Sequence, residues 1–336
     1  MRIISCIKPG RLEYREVPEP VCLPGHAIIK IRRIGICGTD IHAFGGTQPY
    51  FNYPRVLGHE LAGELVEGEV QGIRKGDAVT VIPYQHCGKC IACRSGHTNC
   101  CQHMQVIGVH TDGGMAELLM VPSHLLLPAN GLNADRLALV EPFAIAAHGV
   151  RRAGIAPQEN VLVVGAGPIG LATMEMAAIA GADVLAIDVS AYRLTWAKKI
   201  AGVQGAFLAQ EEHLEEQLRD ITQGDMPTVV IDATGNLGAI NNAFRYMSHA
   251  GRYVLVGLQR DNITFSHPEF HKREGTLLSS RNATRKDFDW VLENIRIGKI
   301  TPEKYITHYL HFNDMVEEFP SLIADGNLVK AMISLD

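Results

Sequence analysis

The stretch Val161-Leu-Val-Val-Gly165-Ala-Gly167-Pro168-Ile169-Gly170 leaves the chain little freedom in how it folds locally. An apolar run of strand length meets three glycines in a G-x-G-x-x-G spacing, and helix-forming residues then continue to Ala180 before Gly181. That order reads as a buried strand, a tight turn and a helix. A second apolar strand, Val184 to Ile187, finishes at Asp188. The glycine spacing alone is a weak signal, and the second strand ending in an acid gives it meaning. In such a unit Gly165 permits the turn, Gly167 lets a diphosphate approach the backbone, and Gly170 lets helix and strand pack closely. Pro168 and Ile169 open the helix whose N-terminus would face that diphosphate. Asp188 stands where an acid hydrogen-bonds the adenosine ribose, and its charge repels a 2′-phosphate, so NAD is favoured over NADP. A flavin dinucleotide, which uses the same fingerprint, is the rival ligand.

The alternation of strands and helices continues. Thr228 to Asp232 and Arg252 to Gly257 read as strands, with a helix-like stretch from Leu237 to Ser248 between them. Such alternation predicts an α/β, doubly wound parallel sheet with its ligand at the carboxyl ends of the strands. Arg193, Thr234, Val256, Gly257 and Leu258 fall near those ends or follow them, and are the further candidates for dinucleotide contact. The part before Val161 differs. Ile28 to Ile34 alternates imperfectly, Leu61 to Glu67 carries short apolar runs, and Gly76-Asp77 turns into Ala78 to Ile82. Glycine and proline recur at short intervals, which suits an irregular barrel of short strands. Leu137 to Val150 reads as a helix containing Glu141, and the segment after Asp287 is helical again. Tyr305 to Asp336 has mixed short elements whose place in the fold no periodicity settles.

At 336 residues the chain can hold two domains, each with its own core. A net charge of -5 gives no basic footprint for nucleic acid. The N-terminal residues turn polar too soon for a secretory leader, and the most apolar span, Val161 to Ile187, is interrupted by Glu175, Asp183 and several glycines. A cytoplasmic protein that does not enter a membrane is the expectation.

Two groups of residues carry metal-ligand chemistry. Gly35-Ile-Cys37-Gly-Thr39-Asp40-Ile-His42, followed by Gly58-His59-Glu60, offers a thiol, an imidazole and a carboxylate. That mixed set suits a catalytic zinc, which takes three protein donors and keeps a fourth position open. Thr39, Asp40 and His42 stand among them as groups able to carry protons or orient the imidazole. The bland alternative is a buried cysteine and a hydrogen-bonded histidine. Cys87, Cys90 and Cys93 form two successive C-x-x-C steps, and Cys100 and Cys101 follow. Four thiolates around one tight loop are structural-zinc chemistry, with an iron–sulfur cluster as the rival. Spacing does not choose between Cys100 and Cys101. Glu141 reads locally as an acid at a helix N-terminus interacting with the helix dipole.

Taken together, G-x-C-G-T-D-x-H, G-H-E, the four-cysteine run and the mid-chain GAGPIG resemble the zinc-dependent medium-chain alcohol and polyol dehydrogenases over essentially the whole chain. The resemblance implies a GroES-like β-barrel catalytic domain from residues 1–145 and 290–336, with a Rossmann domain over 146–289 inserted in it. It implies catalytic zinc on Cys37, His59 and Glu60, with Glu141 ligating or exchanging with Glu60, and structural zinc on Cys87, Cys90, Cys93 and Cys101. It further implies a proton relay through Thr39, the nicotinamide ribose and His42, support of His59 by Asp40, and a dimer or tetramer. A zinc-free quinone reductase shares the fold but has no need of Cys37, His59 and Glu60 together. A non-catalytic zinc-binding regulatory protein has little use for the relay residues.

Four stretches resemble the bacterial sugar-acid branch of that family more than its sorbitol or threonine dehydrogenases. They are Phe51 to His59, Ile107 to Gly114, His267 to Glu274 and Ser280 to Thr284. The expected reaction is therefore NAD-linked oxidation of a secondary hydroxyl on a sugar acid such as L-galactonate or L-gulonate, with a sorbitol-type polyol or L-threonine as the alternative substrate. A carboxylate on the substrate suits a planar guanidinium. The resemblance places Arg281 at a substrate-contacting position, with Lys272 and Arg273 as helpers or as a solvated charge run.

Overall fold

The computed structural model describes residues 1–48 and 51–336. They divide into two compact units, Met1–Glu141 with Thr284–Asp336, and Pro142–Ala283. The boundaries expected at 145/146 and 289/290 fall inside the helices Val140–Ala153 and Arg285–Arg296. The second helix belongs to the first unit from its start, where the Asp287 carboxylate accepts the Thr284 N–H at 2.7 Å. Phe288, Val291 and Ile295 on its inner face are buried.

The second unit holds a six-stranded parallel sheet in the order Gly205–Leu208, Asp183–Asp188, Asn160–Val164, Val229–Asp232, Arg252–Leu255, Thr276–Ser279. Its chain starts at the middle of the sheet and winds outward both ways, so the strand order reverses beside Asn160–Val164. Val161, Leu162, Val163, Val229, Val230 and Ile231 are wholly buried, which explains why these strands read as continuous apolar runs without alternation. The helix Pro168–Ile179 follows the glycine turn. Gly165 has φ +98°, and a Cβ on it would lie 2.7 Å from Thr234 Cγ2. A Cβ on Gly170 would lie 1.8 Å from the Gly165 carbonyl oxygen.

In the first unit the central strand is His26–Ile36. It pairs antiparallel with Glu60–Gly68, Leu118–Pro122 and Lys330–Ser334. Its register against Glu60–Gly68 shifts between Ile28 and Ile29 and again between Ile31 and Arg33. These bulges let Ile28 and Ile29 both face the interior, and they are the reason the alternation is imperfect. The pairing of Lys330–Ser334 shows where the C-terminal stretch goes: it is a strand of the first unit's sheet. The N–H groups of Gly113, Gly114 and Met115 donate to the carbonyls of Val56, Gly58 and Leu57 at 2.8, 2.9 and 2.9 Å. A Cβ on Gly113 would lie 2.4 Å from two carbonyl oxygens, those of Leu57 and Gly58. Part of the Ile107 to Gly114 stretch thus braces the backbone just before His59. Among the described residues no helix is long and apolar enough to cross a membrane.

Gly170→Ala tests the tight packing of strand and helix. The expected result is a loss of about 1–3 kcal/mol in thermal or denaturant unfolding, the usual cost of overpacking, together with weakened dinucleotide binding by fluorescence titration. An unchanged melting curve would contradict it.

Candidate active site

The strand His26–Ile36 ends immediately before Cys37, which caps the helix Gly38–Phe44. Asp40, in the first turn of that helix, is completely buried, and its carboxylate accepts the N–H of Cys37 at 2.9 Å and that of Gly58 at 3.1 Å. One side chain therefore ties the segment carrying Cys37 to the segment carrying His59. Asp40 Oδ1 also lies 3.8 Å from His59 Nδ1. Gly35 is the register partner of Glu60, and a Cβ there would lie 2.0 Å from Glu60 Oε2. Glycine at 35 is what makes room for the carboxylate.

Donor atoms of Cys37, His59 and Glu60 all lie within 4.8 Å of one another. Glu60 is wholly buried, and its Oε2 is ion-paired with the buried ammonium of Lys330, which also donates to the Ile36 carbonyl at 2.9 Å. Among the described residues, His59 Nδ1 and Glu60 Oε1 are buried without a hydrogen-bond partner. Orphaned polar atoms of this kind are costly unless a ligand answers them. The field around them favours a cation. Burial opposes protonation of His59, yet Cys37 and Asp40 hold its pKa well above the ordinary value. Burial likewise opposes the charge on Lys330, and Glu60 and Cys37 raise its pKa. A thiol, an imidazole and a carboxylate in a buried, electronegative pocket fit zinc as a borderline-soft ion with one position left open.

Glu141 stands in the first turn of Val140–Ala153, buried, and outside the group of atoms that approach one another within 4.8 Å. Its carboxylate accepts a hydrogen bond from the Tyr84 hydroxyl. Burial pushes its pKa up to about 6, against the opposing pull of His59. Thr39 is half-buried and His42 exposed, with His42 Nδ1 2.9 Å from Thr47 Oγ1. Lys330, Tyr84 and Thr47 were absent from the sequence reading. The signal for Lys330 was available as a lone cation inside the apolar run Leu328 to Ile333.

The loop cysteines form a second cluster. Sγ atoms of Cys87, Cys90, Cys93 and Cys101 lie within 4.8 Å of one another. Cys90 Sγ is 3.5 Å from that of Cys93 and 3.9 Å from that of Cys101, close to the sulfur–sulfur edge of about 3.8 Å in a zinc tetrathiolate. Cys101 is buried and Cys100 exposed, which selects Cys101 for the cluster. Backbone N–H groups of Cys87 and His103 point at Cys101 Sγ, both at 3.3 Å. The N–H groups of Cys93 and Gln102 bring the Cys90 thiol down to about 6, favouring thiolate.

In the second unit Asp188 is buried, and its two oxygens accept the N–H of Ala166 at 2.6 Å and of Ser190 at 2.7 Å. The acid at the strand end therefore also braces the glycine loop. The space beside Gly167 is open except for Arg193, whose Nη1 would lie 3.9 Å from a Cβ there. Thr234 donates to the Asp232 carboxylate at 2.5 Å, and a Cβ on Gly257 would lie 2.1 Å from the Gly235 nitrogen. Thr234, Val256, Gly257 and Leu258 thus sit at the carboxyl ends of neighbouring strands. Arg281 is exposed just beyond Thr276–Ser279. Lys272 and Arg273 both pair with Glu269, and Arg273, only 14% exposed, also donates to the Met247 carbonyl at 3.1 Å.

The family profile for the alcohol dehydrogenase GroES-like domain matches residues 23–131, and that for zinc-binding dehydrogenases matches residues 168–296. L-galactonate-5-dehydrogenase of Escherichia coli (strain K12) is 45% identical over 99% of both chains. L-idonate 5-dehydrogenase of Vitis vinifera is 33% identical over 91% of this chain and 87% of its own. An alcohol dehydrogenase of Escherichia coli CFT073, solved with the cofactor NADH, superposes with a TM-score of 0.92 at 31% identity, over 100% of this chain and 99% of that one. With the donor sets and the doubly wound sheet, these matches identify the chain as a dehydrogenase belonging to the zinc-dependent alcohol dehydrogenase family, of the medium-chain fold.

Proposed function

We propose that this enzyme is an NAD-linked dehydrogenase oxidising a secondary hydroxyl of a six-carbon sugar acid, such as L-galactonate or L-gulonate, to the keto acid. The observation that carries the chemistry is the buried set of Cys37, His59 and Glu60 in an electronegative pocket. The substrate class rests on the likeness to two relatives named for sugar-acid oxidation. A cytoplasmic homodimer or homotetramer is the form we infer.

Zinc bound at this set supplies a Lewis acid that eases the loss of a proton from a hydroxyl. Asp40 keeps Cys37 and His59 in place through the two backbone N–H groups it holds, so the donors need not reorganise. His42, exposed and anchored through Thr47, carries a proton outward at its imidazole, with Thr39 three residues before it on the inner side. The dinucleotide, held by the glycine turn and Asp188, would supply the hydride acceptor. The fixed Asp188 carboxylate at its strand end favours NAD by repelling a 2′-phosphate, and Arg193 beside Gly167 offsets diphosphate charge. Arg281 is proposed to hold the substrate carboxylate.

Two variants separate the metals. Cys37→Ala is expected to lower kcat by about 10³-fold or more, with one zinc lost by atomic absorption and NADH titration unchanged. Cys90→Ala is expected to lose the other zinc and to lower the melting temperature, since a structural zinc contributes directly to folding. Full turnover of a Cys37→Ala protein lacking that zinc would refute the catalytic assignment.

The substrate is tested by NAD reduction over L-galactonate, L-gulonate, L-idonate, sorbitol and L-threonine. Arg281→Ala is expected to lower kcat/KM for the acids by roughly 10- to 100-fold, the value of a charged hydrogen-bond pair, with little change for sorbitol. Equal losses on acids and polyols would remove Arg281 from this role, and activity confined to sorbitol or threonine would overturn the substrate assignment.

A further inference from the structure

Tyr84 is placed by elements that have no other evident reason to reach the donor set. It lies in the short strand Tyr84–Gln85, paired antiparallel with Gln105–Val106 so that Tyr84 faces Val106. Those two strands flank the excursion that carries Cys87, Cys90, Cys93 and Cys101. The Tyr84 ring meets Phe288 edge-on, with centroids 6.2 Å apart at 70°, and both residues are buried. Held from two sides, the ring directs its hydroxyl at Glu141 Oε1.

Glu141 is a buried carboxylate besides Asp40 and Glu60, near enough to His59, Glu60 and Lys330 to feel their charges. It nevertheless stays outside the mutual 4.8 Å reach of Cys37, His59 and Glu60. A carboxylate in a low-dielectric pocket is drawn strongly to a divalent cation and is itself a zinc ligand type. Something must hold it back if the fourth position is to remain open, and the tyrosine hydroxyl is the partner that occupies it.

We propose that Tyr84 is a positioning residue that holds the Glu141 carboxylate off the metal, leaving Cys37, His59 and Glu60 as its donors among the described residues. The proposal rests on the metal assignment made above. It also gives the four-cysteine loop a consequence at the active site, because that loop closes the turn between the strands that fix Tyr84.

The test uses the full-length protein with cobalt(II) exchanged into the Cys37 site while zinc stays in the cysteine loop. A thiolate-to-cobalt charge-transfer band, lost in Cys37→Ser, is expected. Failure of that control would refute the metal assignment, independently of Tyr84. The wild type should show the intense d–d bands of a four-coordinate ion. Tyr84→Phe keeps the ring and its packing and removes only the hydroxyl. Its charge-transfer band should persist while the d–d bands weaken severalfold, as Glu141 joins and the ion becomes five-coordinate. Adding Glu141→Gln to Tyr84→Phe should restore the intense bands, and Glu141→Gln alone should match the wild type. Unchanged d–d bands in Tyr84→Phe, weak bands that persist in the double variant, or an altered spectrum in Glu141→Gln alone would overturn the proposal. If Tyr84→Phe does not fold, the Glu141→Gln spectrum decides.

Discussion

The first unit is built around buried negative charge. Asp40, Glu60 and Glu141 are carboxyl groups removed from water, and the Cys37 thiol adds a fourth acidic group beside them. An unpaired ion costs several kcal/mol to bury even after relaxation, so each of these groups needs an answer. Asp40 has two backbone N–H groups, Glu141 has the Tyr84 hydroxyl, and Glu60 has the Lys330 ammonium on one oxygen. A Glu60 oxygen, the Cys37 sulfur and a His59 ring nitrogen lie within 4.8 Å of one another. The topology follows from this requirement. The strand His26–Ile36 stops at Cys37, and its neighbours deliver Glu60 opposite Gly35 and Ala331 opposite Ile36. Lys330 therefore arrives at the end of the strand that leads to the thiol, and a chain whose last strand went elsewhere would leave Glu60 without its cation.

The parts of this architecture legible in the sequence are those whose physics is local. Glycines at 165, 167 and 170 after an apolar run specify a turn and a close packing that need no distant partner, and the structure gives Gly165 its positive φ and Gly170 its missing space. The four cysteines are likewise local, and only burial was required to separate Cys101 from Cys100. Contacts across long sequence separations were not legible. Lys330 meets Ile36 across 294 positions and Tyr84 meets Glu141 across 57, and hydrophobic period carries no information about which side chains face one another across a sheet. The bulges in His26–Ile36 show a milder version of the same limit: the imperfect alternation was visible, but whether it meant a bulge or a weak strand depended on the partner strand.

In the second unit buried acids do a different task. Asp188 and Asp232 each end a strand, and each spends its oxygens on backbone: Asp188 on Ala166 and Ser190, Asp232 on Thr234 and Gly235. Burial raises the Asp232 pKa, and the three hydrogen bonds from Thr234 and Gly235 pull it back. The turns at the carboxyl ends of these strands are therefore tied to carboxylates rather than left to loop chemistry. The acid at position 188 thus braces the glycine turn through Ala166 and the chain beyond its own strand through Ser190, the rigidity on which its proposed role toward a ribose depends.

The two thiol-bearing clusters differ in a way that supports the separate roles proposed for them. Around Cys87, Cys90, Cys93 and Cys101 the donors number four, are all sulfur, and receive backbone N–H groups that spread the negative charge of a tetrathiolate. A tetrahedral ion held there would be closed to further ligands, and its binding would stabilise the loop. Around Cys37 the donors among the described residues number three and are chemically mixed, and the Glu141 carboxylate is engaged by a tyrosine. Three donors leave a tetrahedral ion one site short, and a site that is short of a ligand is the one at which a substrate oxygen can be taken up. The distinction between staple and reaction centre thus comes down to whether the protein completes the coordination or withholds the last donor.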